Sequence, residues 1–182
     1  MDFAYNDEQK EIIKVVRDLV EKEIVPYAGE MDETGKLHEG LLEKLAAQGL
    51  LGVAIPEEFG GAGLDAITIA AIYEELGKGC AGVATTVAAN ALASYPVIIA
   101  GNDDQKKRYF DIINQDNLAA FALTEPGTGS DAGSVSTRAV KTEDGKGYIL
   151  NGTKCFITNG ALAEVFVVFA NTRKTGGIRG LT

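Results

Sequence analysis

The sequence has few residues of the kinds that bind metals. Its 182 residues include one histidine, two cysteines and no tryptophan. Because His38 stands alone, no histidine pair is available for a metal site, and a solitary histidine in a polar segment is more often solvated than catalytic. Cys80 and Cys155 lie far apart without metal-ligand spacing, which favours small buried residues over a disulfide or a ligand set. We therefore expect no metal centre.

Positive charge is also scarce. The 17 Lys and Arg residues stand against 26 Asp and Glu residues, which gives a formal net charge of −9. Nucleic acids and anionic membranes are held mainly through clustered Lys and Arg. The sequence therefore predicts no nucleic acid and no membrane as partner, and any phosphate group must be bound by local donors.

The sequence also lacks a recognisable targeting segment. It opens on the acidic run Met-Asp-Phe-Ala-Tyr-Asn-Asp-Glu, which is neither an Arg-rich leader nor an apolar signal core. No later apolar run is long and uncharged enough to be expected to span a bilayer. With 46% hydrophobic and 24% charged residues, the composition fits a soluble globular protein of one large or two small domains. We expect a cytoplasmic setting, or the mitochondrial matrix if a leader has been removed.

The first two thirds of the sequence predict helices. Apolar residues recur every three or four positions from Asn6 until Pro26 ends the first run. Asn102 and Gln105 have the spacing of a capping box, and Pro96 should kink or restart the helix that contains it. The predicted helices cover residues 6–26, 41–49, 66–76, 82–99 and 102–113.

The pattern changes near residue 117, where β-branched and aromatic residues become frequent. Asp144-Gly145 and Asn151-Gly152 offer tight turns between strands. The sequence thus predicts an α+β protein, with a helical N-terminal domain over residues 1–117 and a β domain over residues 118–182. Strands that stop near Thr182 would leave an unpaired edge. The predicted strand residues are Val135, Val140, Tyr148 to Leu150, Phe156, Ile157 and the run from Val165 to Phe169.

The most informative stretch is Phe121-Ala-Leu-Thr-Glu-Pro-Gly-Thr-Gly-Ser-Asp-Ala-Gly133, in which an apolar lead-in runs into a loop of Pro, Gly, Ser and Thr. Gly127 and Gly129 allow backbone N–H groups to approach phosphate oxygens, and the hydroxyls of Thr124, Thr128 and Ser130 are further donors. The same composition is also typical of an ordinary turn. The loop by itself leaves both interpretations open.

A second block, Tyr148-Ile-Leu-Asn-Gly-Thr-Lys-Cys-Phe-Ile-Thr-Asn-Gly160, follows at a fixed distance. Together the two blocks resemble the acyl-CoA dehydrogenase family, in which a TEPGxGSD loop and an (I/L)NGxKxxITNG segment both lie against FAD. The resemblance extends to the segments 55–64 and 99–109, and so to nearly the whole chain. It implies a helical bundle followed by an incomplete antiparallel β-barrel, and a C-terminal helical domain that this chain does not contain.

The resemblance also implies roles for individual residues. Phe121, Ala122, Leu123 and Thr124 would lie along the flavin, and the Thr124 hydroxyl would bond to the redox-active edge of the ring and favour its reduced form. Gly129 and Ser130 would serve the flavin pyrophosphate and the phosphate or pantetheine part of CoA. The second wall of the flavin site would consist of Phe156, Ile157 and Thr158. Many relatives carry Trp at the position of Phe156, so the aromatic face is kept without an indole N–H.

The helix that begins near Gly82 matches the family element that closes the far end of the acyl pocket. Thr85 and Ala88 would line that pocket, with Ala89 and Leu92 at helical spacing from them, although periodicity alone would make the same residues core. Several details of both blocks look most like the short-chain, butyryl-type branch. The implied reaction is the flavin-dependent α,β-dehydrogenation of a short- to medium-chain acyl-CoA to a 2-enoyl-CoA.

The family's catalytic Glu lies in the C-terminal domain, so we expect no catalytic residue in this chain, and Glu125 is interpreted as structural. The implied partners are the acyl-CoA substrate, electron-transferring flavoprotein at the surface around residues 50–63, and further copies of the chain in a homodimer or homotetramer. Two alternatives stay open. One is a flavoprotein oxidase or monooxygenase of the same superfamily, and the other is a non-catalytic CoA- or flavin-binding module.

Overall fold

The computed structural model describes residues 4–173 and 177–182. Within these ranges the α-helices precede the strands, and the α+β fold class is confirmed. The α-helices are α1 (Asp7–Leu19), α2 (Ala28–Thr34), α3 (Leu41–Ala47), α4 (Ala66–Gly79), α5 (Ala81–Ala100) and α6 (Asp103–Ile113). The strands are β1 (Ala119–Ala122), β2 (Arg138–Lys141), β3 (Tyr148–Asn151) and β4 (Val165–Val168).

Side-chain caps fix the starts of the first and last helices. The Gln9 backbone N–H donates to Asn6 Oδ1 at 2.8 Å, and the Asn6 N–H donates to Gln9 Oε1 at 3.1 Å. The same reciprocal pair joins Asn102 and Gln105, which confirms the predicted capping box. Such pairs satisfy N–H groups that have no partner inside the helix. The prediction that Pro26 ends the first helical run is wrong, because the backbone widens into a π-helical turn at Val20–Ile24, narrows to a 3₁₀ turn at Val25–Tyr27 that contains the proline, and continues as α2.

Helix α5 is the central element of the helical domain. It packs against α4, β1 and α6, and Val83, Val87 and Asn90 are fully buried. The helix continues through Pro96 to Ala100, so the predicted restart at this proline is wrong. By length and composition alone, α5 is also apolar enough to cross a membrane. The expectation that no such run exists is therefore wrong, because a helix that packs against several elements carries apolar residues on most of its faces.

The four strands form two sheets of two strands each, one antiparallel and one parallel. Strands β2 and β3 pair antiparallel around a turn at Gly145, as the Asp144-Gly145 signal predicts. Strands β1 and β4 pair in parallel, with Ala119 opposite Val165 and Ala122 opposite Val168. The antiparallel expectation therefore holds for one pair only. Asn151-Gly152 does not form a hairpin turn, because β3 ends at Asn151 and the chain continues as an irregular segment.

The helical core extends to the beginning of the β region. Its main cluster joins α1, α3, α4 and α5, and Leu118 belongs to the same cluster. A second cluster brings Tyr109 and Phe110 of α6 together with Ala119 of β1. Since β1 leads directly into the glycine-containing loop, this packing fixes that loop relative to α5.

Candidate functional site

The loop after β1 is organised around the buried carboxylate of Glu125, which is 4% exposed. It accepts five hydrogen bonds, from the N–H and hydroxyl of Ser136, from the N–H and hydroxyl of Thr137, and from Lys154 Nζ at 2.9 Å. Burial alone would raise the pKa of this carboxyl, but the hydrogen bonds from Ser136, Thr137 and Lys154 outweigh burial and hold the pKa well below its usual range. A carboxylate that is occupied in this way is a weak base, which agrees with a structural role.

Pro126 and Gly127 form the tip of a tight turn at the start of this loop. The N–H of Glu125 donates to the carbonyl of Thr128 at 3.0 Å, and the reverse bond has the same length. The hydroxyl of Thr128 is turned inward and donates to the carbonyl of Ser134 at 3.0 Å. The prediction that Thr128 is free to donate to a phosphate is therefore wrong, because the turn itself uses this hydroxyl.

The next residues of the loop present unused donors. Among the residues that the structure describes, the backbone N–H groups of Gly129 and Ser130 have no acceptor, and neither has the Ser130 hydroxyl. Gly129 is exposed, and a methyl group added to it would meet no atom within 4 Å. The Thr124 hydroxyl likewise has no partner in the described part of the chain. These groups have the chemistry to bind an anion or a polar ring edge.

The segment 154–159 lies beside the end of β1. Lys154 Nζ donates to the carbonyl of Leu123 at 2.8 Å, and the N–H of Cys155 donates to the carbonyl of Thr124 at 3.0 Å. Phe156 has a φ of 55° and a side chain that is 92% exposed. The prediction of a strand at Phe156 and Ile157 is wrong, because a left-handed residue interrupts extended backbone. The backbone of Phe156, Ile157 and Thr158 instead forms an irregular turn, and the Phe156 ring is exposed on it.

The two blocks are thus adjacent, as the resemblance implies. Thr158 is exposed, whereas Phe121 and Ala122 are less accessible than a direct wall of a ligand site would suggest. Phe121 packs its ring against Phe169 at a centroid distance of 4.9 Å, and Ala122 is 3% exposed. The roles of these residues toward a cofactor stay predictions. What the structure adds is that backbone atoms of Leu123 and Thr124 are held in place by the second block.

Helix α5 also reaches this region. The Thr85 side chain is exposed and donates to the carbonyl of Ala81 at 2.7 Å, while Ala88 is half-buried and Leu92 is exposed. Ala89 is buried in the core, although 3.6 residues per turn place it within about 40° of Thr85 around the helix. Ala89 therefore contributes to the core and not to an accessible strip on this side of α5.

Two residues of the region were not predicted from the sequence. Lys154 links the two blocks through Leu123 and Glu125, and Asn159 links the second block to α5 and β1. Both lie inside the second motif, which offers the only sequence signal for them. A lysine or an asparagine in a polar segment is normally exposed, and nothing local indicates that these two are enclosed.

Two family models match consecutive parts of the chain. The acyl-CoA dehydrogenase N-terminal domain matches residues 6–115, and the acyl-CoA dehydrogenase middle domain matches residues 120–182. A 3-(aryl)acrylate reductase from Clostridium sporogenes is 42% identical over 96% of this chain and 47% of its own length. An acyl-CoA dehydrogenase from Bacillus subtilis is 40% identical over 96% of this chain and 46% of its own length. The chain therefore spans about half the length of the curated relatives it matches.

Solved structures show the same similarity. A chain from a structure of the electron-transferring flavoprotein of Acidaminococcus fermentans matches with a TM-score of 0.91 and 38% identity, over 100% of this chain and 48% of that chain. Butyryl-CoA dehydrogenase from Megasphaera elsdenii matches with a TM-score of 0.90 and 38% identity, over 100% of this chain and 49% of that chain. An acyl-CoA dehydrogenase from Bacillus anthracis, complexed with FAD, matches with a TM-score of 0.83 and 39% identity, over 92% of this chain and 29% of that chain.

Proposed function

The chain belongs to the acyl-CoA dehydrogenase family, and from this membership we propose that it provides the flavin-binding and acyl-binding surfaces of an FAD-dependent oxidoreductase. The proposed reaction removes a proton from the carbon α to a thioester and a hydride from the β carbon, and gives a 2-enoyl thioester. The observation that carries the proposal is that both family domains match in order and cover nearly the whole chain.

The residues present fit a flavin nucleotide. The open N–H groups of Gly129 and Ser130 suit a pyrophosphate, because backbone donors without a protein acceptor bind phosphate oxygens well. The unpartnered hydroxyl of Thr124 suits a polar ring edge, and the exposed ring of Phe156 offers an aromatic face. When bound, FAD would accept the hydride in this reaction. We propose that these four residues, with Thr158, hold it.

The chain's own residues would orient the thioester and exclude water from it. Thr85, Ala88 and Leu92 form a mixed polar and apolar strip on α5, which suits an acyl chain. Glu125 does not suit the role of the base, because its lone pairs are occupied and its pKa is lowered. Its function is to fix the loop that carries Thr124, Gly129 and Ser130.

We propose electron-transferring flavoprotein as the redox partner. Its docking site would be an apolar groove between α1, α4 and the segment 48–64, which encloses about 360 Å³. The groove is lined by Ile12, Val15, Leu19, Leu50, Leu64 and Ile72, among others. The similarity to a chain from an electron-transferring flavoprotein structure supports the choice of redox partner, and the apolar lining alone supports the choice of groove. A cytoplasmic location and a homodimer or homotetramer stay predictions.

A second candidate is the reverse reaction, the reduction of an acrylate-type double bond. The 42% identity to a 3-(aryl)acrylate reductase favours it. The residues proposed to hold the flavin would serve both directions, because in each direction a hydride moves between the flavin and the β carbon of the thioester. Because the family's catalytic Glu lies in the C-terminal domain, the test uses the chain combined with the C-terminal domain of a relative. Anaerobic mixing of this reduced protein with an enoyl or aryl-acryloyl thioester, compared with mixing of the oxidised protein with butyryl-CoA, shows which direction is catalysed. Rapid reoxidation of the reduced protein by O₂ alone would instead favour an oxidase.

The proposal is tested by FAD titration of the purified protein and of Gly129→Ala. The structure gives the added methyl group free space, so folding should be unaffected while the backbone can no longer approach a phosphate closely. We expect FAD affinity to fall about fivefold or more, by an amount typical of losing one hydrogen bond. Gly29→Ala is the matched control, because Gly29 also has no atom within reach of an added methyl group and lies outside the site. A parent protein that binds no FAD overturns the proposed function.

A further inference from the structure

The first residue of β1, Ala119, is held by two buried asparagine side chains from different parts of the chain. Its N–H donates to Oδ1 of Asn90 at 2.8 Å, and its carbonyl accepts from Nδ2 of Asn159 at 3.0 Å. Asn90 belongs to α5 and is fully buried, and Asn159 is 9% exposed. Carboxamides thus satisfy both polar groups of Ala119, which ties the beginning of β1 to its surroundings.

Asn159 makes a further bond that crosses to α5. Its Nδ2 also donates to the carbonyl of Thr86 at 2.9 Å. Its backbone carbonyl accepts from the N–H groups of Leu162 and Ala163, each at 2.8 Å. One carboxamide therefore connects the turn after Phe156 with the helix that carries Thr85 and with the strand that leads to Thr124.

Asn159 holds a left-handed backbone conformation, with a φ of 64°. Asparagine adopts this conformation more readily than other non-glycine residues, because its short polar side chain bonds locally. Here the side chain is used for long-range bonds instead, over 73 residues to Thr86 and 40 residues to Ala119. Asparagine suits this position because it combines a tolerated left-handed backbone with a short side chain that carries two donors on one atom.

We propose that Asn159 is a positioning residue that sets the candidate flavin wall, Phe156 to Thr158, at a fixed place relative to the acyl helix α5 and to Thr124. The inference rests on the proposed function, because it gives this carboxamide a purpose in relation to flavin and acyl thioester. Asn159 touches neither ligand in this account. It acts through the three segments that it joins.

The test compares Asn159→Asp with Asn159→Gly. Aspartate keeps the shape but replaces the donor by an oxygen that faces two carbonyl oxygens, whereas glycine keeps the left-handed backbone and removes the side chain. We expect both variants to bind FAD more weakly, by about tenfold for Asn159→Asp, as expected for lost buried hydrogen bonds. We also expect the visible spectrum of the bound flavin to shift, which a general loss of stability would not produce.

The control is Asn114→Asp. Asn114 Nδ2 likewise donates to a carbonyl, that of Phe59 at 2.7 Å, but it lies at the end of α6 outside the site. This variant should lose stability without any change in FAD affinity or flavin spectrum. Equal FAD affinity and spectrum in the parent and both Asn159 variants would overturn the positioning role.

Hydrogen exchange separates failure of this inference from failure of the proposed function. In the protein without FAD, Asn159→Asp should raise exchange in three separate peptides, which contain residues 83–90, 119–124 and 156–163. If the parent binds no FAD, the proposed function fails. If exchange in the first two peptides is also unchanged, then Asn159 does not couple the turn after Phe156 to α5 and β1, and this inference is overturned as well. Increased exchange in all three peptides supports the coupling whether or not FAD binds.

Discussion

Lys154 Nζ lies 2.9 Å from Glu125 Oε1, and this buried ion pair joins the two sequence blocks that define the family. The side chain of Lys154 is 12% exposed and that of Glu125 is 2% exposed. A buried pair contributes to the fold only when its remaining polar groups are satisfied. Here Ser136 and Thr137 donate to the carboxylate, and the Lys154 ammonium donates a second hydrogen bond, to the carbonyl of Leu123.

Lys154→Met should therefore destabilise the protein. Methionine retains an apolar stem but removes the ammonium, and Glu125 keeps a buried charge without its ionic partner. We expect a loss of about 3–5 kcal/mol in the free energy of unfolding, the usual cost of removing one partner of a buried ion pair. Urea unfolding followed by circular dichroism measures it. Lys146→Met, at an exposed position in the β2–β3 turn, should remain within about 0.5 kcal/mol of the parent.

Thr124→Val should change the flavin and leave the fold intact. The Thr124 hydroxyl has no partner in the described part of the chain, so valine removes no internal bond. If the hydroxyl donates to the flavin edge, its loss should lower the midpoint potential of bound FAD by about 10–30 mV, since the bond favours the reduced ring. Thr142→Val, which alters a hydroxyl bonded to Asp144 in the β2–β3 turn, is the control. An unchanged potential in Thr124→Val would contradict the assigned role.

The elements that the sequence predicted well are those whose causes are local. The capping box of Asn102 and Gln105 and the turn at Asp144-Gly145 depend on neighbours in the sequence, and the structure contains both. Helix α2 was not predicted, because it is short and contains Gly29 and several acidic residues without an apolar period. The predicted range of α5, 82–99, lies within one residue of the observed bounds at each end, but the predicted restart at Pro96 does not occur, because the helix continues through the proline.

The remaining errors come from contacts between distant residues. The parallel pairing of β1 with β4 brings Ala119 beside Val165, and no local pattern distinguishes it from antiparallel pairing. Phe156 has a strand-like neighbourhood in sequence but a left-handed backbone in the fold. The candidate site was found through its motifs, whereas the enclosed Lys154 and Asn159 depend on bonds that span 29 to 73 residues.

Val15→Glu should weaken the interaction with electron-transferring flavoprotein. Val15 lines the apolar groove and is 50% exposed, and a charge there would have to be desolvated when an apolar partner residue enters. We expect the rate at which the reduced protein transfers electrons at low partner concentration to fall about tenfold, by analogy with other apolar anchor positions.

Val25→Glu is the matched control for this substitution. Val25 is 51% exposed, almost the same as Val15, and it lies outside the groove. Electron transfer from this variant should equal that of the parent. Equal effects of the two substitutions would show that the groove is not the docking site.

The pairing of Arg17 with Glu75 should make stability depend on pH in the acid range. The guanidinium donates from Nε at 3.0 Å and from Nη2 at 2.9 Å to the two carboxylate oxygens of Glu75, which is 5% exposed. These bonds lower the pKa of Glu75 from 4.5 to about 2. Burial opposes this shift, and a hydrogen bond from Lys78 adds to it. Because the pKa is lowered on folding, the stabilisation is complete above about pH 4.5 and is lost as the pH falls toward about 2.

Glu75→Gln removes the charge and should therefore remove this part of the pH dependence. Near neutral pH we expect the variant to be less stable by about 1.5–3 kcal/mol, the range for hydrogen bonds to charged groups. The difference from the parent should shrink between about pH 4.5 and 2, because the parent carboxyl is then protonated as well. Glu74→Gln is the control, since the Glu74 side chain is 62% exposed and its pair with Lys78 should contribute less than about 0.5 kcal/mol. A constant difference between Glu75→Gln and the parent across this range would show that the bidentate pair does not determine acid stability.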